Sequence, residues 1–354
     1  MRASVGRAPF GRLPGGEEVE IFTLRNTHGV EARVIGYGGA IVSLRVPDRA
    51  GRFADVVLGY DGLAGYVADQ AYFGALIGRH ANRIREGRFT LDGREYVLPV
   101  NNGPNHLHGG PGGFNKVAWR AEPLDGAEGP GVVLTHTSPH GTEGYPGTLE
   151  VRVTYRLTEA NELRVDYAAS TDAPTPVNLT QHSYFNLTGD PRRQVLGHEV
   201  ELAADHFTPV DDTLVPTGEI TPVEGTPFDF RRPAPIGARI GVDHAQLARA
   251  GGYDHNFVLS GGAGEMRLAA RVHEPTTGRV LELHTTEPGV QFYSGNFLDG
   301  TVRGKEGVYY GHRTGFCLEP QHFPDAPNQP AFPSTILRPG ERYLSRMVYR
   351  FTAV

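Results

Sequence analysis

The stretch TLEVRVTYRLTEANELRVDYAAS, residues 148–170, decides the fold class. Apolar and polar residues alternate through Thr148–Leu157 and again through Glu162–Ser170. A period of two belongs to a strand with one buried face, whereas a helix repeats every ~3.6 residues. Glu159-Ala160-Asn161 supplies the turn, so the stretch predicts an antiparallel hairpin. Outward from it the same pattern recurs. Val19–Arg25 and Val30–Ile35 flank Asn26-Thr27-His28-Gly29, and Met266–Glu274 and Arg279–Thr285 flank Pro275-Thr276-Thr277-Gly278. Arg342–Phe351 reads as a further strand, and only Val242–Ala250 reads as a short helix. The 47 glycines and 27 prolines punctuate nearly everything between. No repeat of about 20–50 residues favours a propeller or solenoid. No shift in composition marks a linker. The expectation is one all-β antiparallel domain over residues 1–354, with 1–8 a loose N-terminal segment.

Composition narrows the function classes. The 354 residues carry a formal charge of −6, with 39% hydrophobic and 21% charged residues, as in a water-soluble globular chain. A pI near 6.2 and scattered arginines argue against a nucleic-acid partner, which needs a concentrated basic stripe. Among the 34 basic residues only Lys116 and Lys305 are lysine. No apolar run approaches the ~20 residues of a membrane-spanning helix, so no membrane partner is expected. Met1–Gly16 lacks the apolar core of a secretory signal, and Cys317 is the sole cysteine, which together predict the cytoplasm.

Several stretches carry groups able to do chemistry. In Val177–Leu187 the even positions Asn178, Thr180, His182, Tyr184 and Asn186 would share one strand face. That face is polar yet uncharged, which suits a groove that reads hydroxyl groups or a strand with satisfied polar side chains. Asn178 and Asn186 also begin glycosylation sequons, read here as chance. In Asn105–Gly110, His106 and His108 could ligate a metal, but glycines beside a histidine better suit close approach of a ligand. Glu319 lies among apolar residues and precedes Pro320, so burial would raise its pKa and make it a stronger base. Cys317 with His182 could form a nucleophile pair, although a cysteine between Phe316 and Leu318 better fits a core. Gly78–Ile84 adds arginines and an amide, and Gly251–Asn256 places Asp254 in a glycine-led loop.

Taken together, GRHANRI (78–84), NNGPNHLHGG (101–110), EGYPG (143–147), NLTQHSYFNL (178–187), GGYDHNFVL (251–259), PGVQFYSGNF (288–297) and LEPQHFPDAPNQ (318–329) resemble the aldose 1-epimerase (galactose mutarotase) family. They occur in that family's order, from about Pro9 to Phe351. The resemblance implies a large antiparallel β-sandwich with an open sugar groove. It implies Glu319 as general base, His182 as general acid and His108 as a sugar-binding group that assists the acid. Asn82, Arg83, Tyr184, Asp254 and Gln291 would bind substrate. His80 and Gln181 depart from the family's usual residues. The implied reaction interconverts the α- and β-anomers of free aldohexoses such as galactose and glucose, with neither metal nor cofactor. A monosaccharide is the expected partner, for a monomer or homodimer. The alternatives are a glycoside hydrolase using Glu319 and Asp254, a non-catalytic carbohydrate-binding protein, and a hexose-phosphate mutarotase using Arg79, Arg83 and Arg85.

Overall fold

A computed structural model describes residues 2–261 and 264–354. The hairpin expected over residues 148–170 is present as strands Leu149–Leu157 and Glu162–Thr171, in register from Leu149↔Thr171 to Leu157↔Leu163. Along the first strand Leu149, Val151, Val153, Tyr155 and Leu157 are buried, and the residues between them are not. Asn161 closes the turn with φ 58°, a conformation asparagine tolerates better than most residues. The Asn26 amide locks this turn by donating to Thr158 O at 3.0 Å and Asn161 Oδ1 at 2.7 Å.

This pair lies in a nine-stranded antiparallel sheet that also holds Arg267–His273, Arg279–Thr285 and Tyr343–Ala353. A five-stranded sheet contains the Glu18–Arg25 and Glu31–Ile35 hairpin. A six-stranded sheet is built around Asp254–Leu259, Gly289–Tyr293 and Phe316–Gln321. All three sheets feed one buried cluster, with Phe22 and Leu44, Tyr155 and Leu283, and Phe257, Phe292 and Leu318 as members. The fold is thus the expected all-β sandwich.

Three expectations need correction. Residues 1–8 are not loose from Ser4 onward: Ser4–Arg12 pairs with Glu18–Arg25, its polar side chains facing water on an edge strand (Met1 lies outside the described residues). The helix at Val242–Ala250 is shorter, Ala245–Ala250, and His244 caps it through the Gln246 N–H. A second six-residue helix, Leu63–Ala68, had no readable period at that length. Among the described residues no helix is long and apolar enough to cross a membrane.

The six-stranded sheet positions the site because both its faces are covered. Phe257, Val290, Phe292, Phe316 and Leu318 belong to the main buried cluster. The alternate residues Asp254, Asn256, Gln291, Cys317, Glu319 and Gln321 form the other face, also buried. That second face carries Asp254, Gln291 and Glu319, three of the candidate site residues.

Candidate active site

Above the second face lies a cavity of about 600 Å³. Asn82, Arg83, Asn102, His108, His182, Tyr184, Asp254 and Glu319 line it, with Tyr72, Tyr293 and Phe297 among its aromatic walls. Glu319 sits mid-strand, directly opposite Gln291 in the ladder. His182 ends the short strand Thr180–His182, which pairs with Ala75–Ile77. The two meet across the cavity floor, with His182 Nε2 3.6 Å from Glu319 Oε1 and both side chains almost fully buried. Glu319 Oε2 has no hydrogen-bond partner among the described residues.

Burial favours the neutral form of each group. It pushes the Glu319 carboxyl well above its ordinary range, helped by the nearby Asp254 and opposed by Arg83. It lowers the His182 imidazole to about 4. A carboxylate formed here is a strong base and an imidazolium formed here is a strong acid. At 3.6 Å the two are close enough for the charge on one to act on the other.

His108 is held in one tautomer. The Asn82 N–H donates to its Nδ1 at 3.1 Å, so a neutral His108 carries its proton on Nε2. Burial keeps it neutral, with the adjacent His182 acting in the same direction. The His108 N–H returns a bond to Asn82 O at 3.0 Å, and both residues have positive φ. Gly109 permits this tight packing, because a Cβ there would lie 1.8 Å from Gly78 O. Tyr72 packs its ring against His108 at 4.7 Å and His182 at 5.8 Å.

A second set of polar side chains lies to one side. Asp254 accepts from Gln291 Nε2 at 2.7 Å and stands 3.9 Å from Arg83 Nη1. Burial raises the Asp254 carboxyl, while Arg83 and Gln291 oppose that rise. Arg83 Nε donates to Asn102 Oδ1 at 2.9 Å, which fixes the guanidinium's plane.

The Aldose 1-epimerase family profile matches residues 20–350. The chain belongs to that family. It is 51% identical over 350 residues to galactose mutarotase from Rattus norvegicus, covering 99% of each chain. It is 51% identical over 351 residues to the Homo sapiens galactose mutarotase, again covering 99% of each. Aldose 1-epimerase from Escherichia coli strain K12 is 38% identical, over 96% of this chain and 97% of that one. A solved galactose 1-epimerase from Lactobacillus acidophilus superposes with TM-score 0.87 at 27% identity, covering 99% of each chain. The protein is therefore an epimerase of carbohydrate metabolism.

Of the eight catalytic and substrate-binding residues that the resemblance implies, all but Gln291 line the cavity; Gln291 stands behind Asp254. The Val177–Leu187 segment is not one strand with a polar groove face. Within it only the short pieces Thr180–His182 and Tyr184–Phe185 are strands, and they pair with different partners. Its amides are engaged internally: Gln181 bonds Gly74 O and the Ser183 N–H, and Asn186 bonds Arg193 O and Thr314 O. The Asn178 and Asn186 sequons are buried. His106 does not join His108 as a metal ligand, since its ring nitrogens meet Pro99 O and Tyr145 Oη, each at 2.7 Å. A different trio, His108, His182 and Glu319, has ligand atoms within 4.8 Å of one another. Cys317 is fully buried and lies 3.6 Å from His182 Nδ1, on the side away from Glu319. Burial pushes its thiol up, which suits a core residue and not a nucleophile.

The basic cluster expected for a phosphate is not assembled. Arg79 is buried and donates to the carbonyls of Ser138, Pro139, Pro146 and Gly147. Arg85 is held by Asp211 and Pro216, leaving Arg83 as the one of the three that lines the cavity. Sequence reading missed Tyr72, Asn102, Tyr293 and Phe297. Asn102 lies within NNGPNHLHGG, and Tyr293 and Phe297 within PGVQFYSGNF, both quoted stretches, whereas Tyr72 comes from a loop without a readable pattern.

Proposed function

We propose that the site opens and recloses the ring of free aldohexoses such as galactose and glucose. Glu319, as carboxylate, takes the proton from O1 while His182, as imidazolium, delivers one to O5. The C1–O5 bond breaks, C1 becomes an aldehyde, and rotation about C1–C2 presents its other face. Reclosure returns both protons, so the enzyme resets without net proton change. Each positioned transfer typically contributes about 10²–10⁴-fold. His108 Nε2–H donates to a sugar oxygen beside the acid, and Asp254 and Arg83 hold hydroxyls remote from C1.

The observation that carries this reading is the Glu319–His182 contact of 3.6 Å, buried and directed into the cavity. The galactose mutarotases at about 51% identity support the choice of sugar. Polarimetry on freshly dissolved α-D-galactose and α-D-glucose tests it, with accelerated approach to the equilibrium rotation as the expected result. An unchanged rate on both sugars overturns the proposal. The cytoplasmic setting rests on the lone, buried Cys317.

A further inference from the structure

Behind Asp254 runs a chain of buried amides that the reaction itself does not use. Gln291 donates its Nε2–H to Asp254 Oδ1 at 2.7 Å. The oxygen of the same amide, Gln291 Oε1, accepts from Gln321 Nε2 at 3.0 Å. Gln321 Nε2 has a second proton, which it donates to Asn256 Oδ1 at 3.3 Å. Gln321 and Asn256 are essentially inaccessible to solvent, at 0% and 1% exposure. Strand register brings them together, since Asn256, Gln291 and Glu319 are consecutive cross-strand partners and Gln321 lies two residues beyond Glu319.

The chain has a direction. An ionised Asp254 only accepts, so Gln291 must turn its nitrogen toward it and its oxygen away. Gln321 must then present nitrogen. The cost appears at the far end, where Gln321 Oε1 and Asn256 Nδ2 are left without partners among the described residues. Two unpaired buried atoms are unfavourable, and reversing the amides could pair them only by turning Gln291 Oε1 against Asp254. The polarity is thus set from the carboxylate end.

We infer that Gln321 is a positioning residue for sugar binding, holding Asp254 through Gln291 in the orientation that accepts substrate hydroxyls. It lies outside the cavity lining and acts only through its neighbours. The inference rests on the proposed role of Asp254.

Gln321→Met keeps length and apolar volume but deletes the donor. Its KM for galactose should rise about tenfold, the loss of one hydrogen bond of ~1.4 kcal/mol, with kcat within about threefold. The decisive test is a double-mutant cycle with Asp254→Ala. If Gln321 acts through Asp254, the double variant has the KM of Asp254→Ala alone, within about twofold. Multiplying single effects, or a fall in kcat at unchanged KM for Gln321→Met, overturns the inference. Should Gln321→Met not fold, Gln321→Glu preserves shape and is read in the same cycle, where an unchanged KM overturns it. Asp254→Ala with wild-type kinetics instead removes the underlying reading of Asp254, so the two failures are distinguishable.

Discussion

Two cavities of similar size share Tyr60 as a wall, and they differ in what their charges do. One, of about 600 Å³, contains Glu319, His182 and His108. The other, of about 510 Å³, contains Glu31, Asp55, Asp61 and Lys305. In the second, these four charged groups have ordinary partners. Lys305 Nζ donates to Asp55 Oδ2 and Val57 O, each at 2.8 Å; Arg25 holds Glu31; and Asp61 accepts from the Glu306 N–H. In the first, a buried carboxyl oxygen lacks a partner and two imidazoles are held neutral by burial. Volume does not distinguish them. Titratable groups kept out of water and left without full pairing do, because such groups are costly to keep and their proton affinities are displaced.

The contrast predicts its largest effect at Glu319. Glu319→Gln keeps shape but removes the base, so kcat should fall at least ~10²-fold, with sugar binding altered far less. His182→Asn should lower kcat similarly and change the form of the pH profile. The wild type needs one shared proton on the pair, so kcat/KM should fall at both extremes. Without His182 only an ionised Glu319 is required, so the alkaline limb should vanish and activity should rise with pH to a plateau. An unchanged bell in His182→Asn assigns the acid elsewhere.

A smaller loss is expected at Asp254. A charge-assisted hydrogen bond to a hydroxyl contributes roughly 1.5–3 kcal/mol, so Asp254→Ala should reduce kcat/KM about 10–150-fold. Steady-state kinetics on galactose and glucose check this. In the second cavity, Lys305→Met should lower the thermal unfolding midpoint by removing the Asp55 pair and the Val57 bond, while kcat/KM stays within about threefold. A tenfold kinetic loss there would break the distinction between the cavities. No change at all is expected on exhaustive EDTA treatment. Activity lost to chelation and restored by a divalent ion would instead make His108, His182 and Glu319 ligands.

Much of this was legible because period-two alternation survives wherever one strand face meets the core, as in Leu149–Leu157. It was lost where both faces are buried. Phe316–Gln321 shows no exposed position, so its two faces differ in polarity and not in burial, and only Glu319 and Cys317 stood out. The Val177–Leu187 expectation failed for the complementary reason. Its polar side chains bond to neighbouring loops whose proximity no local pattern reveals. Tyr72 stayed hidden in the same way, since its role comes from ring contacts with histidines 36 and 110 residues further along the chain. Short elements such as Leu63–Ala68 are set by tertiary contacts: Lys116 holds that helix end through the carbonyls of Val67 and Asp69.

The most direct test of the coupled pair is kcat of the Glu319→Gln/His182→Asn double variant beside the two single variants. Base and acid acting in one concerted ring opening predict a combined loss far smaller than the product of the single losses. Losses that multiply, or a Glu319→Gln enzyme that keeps more than about a tenth of the wild-type kcat, would contradict the account.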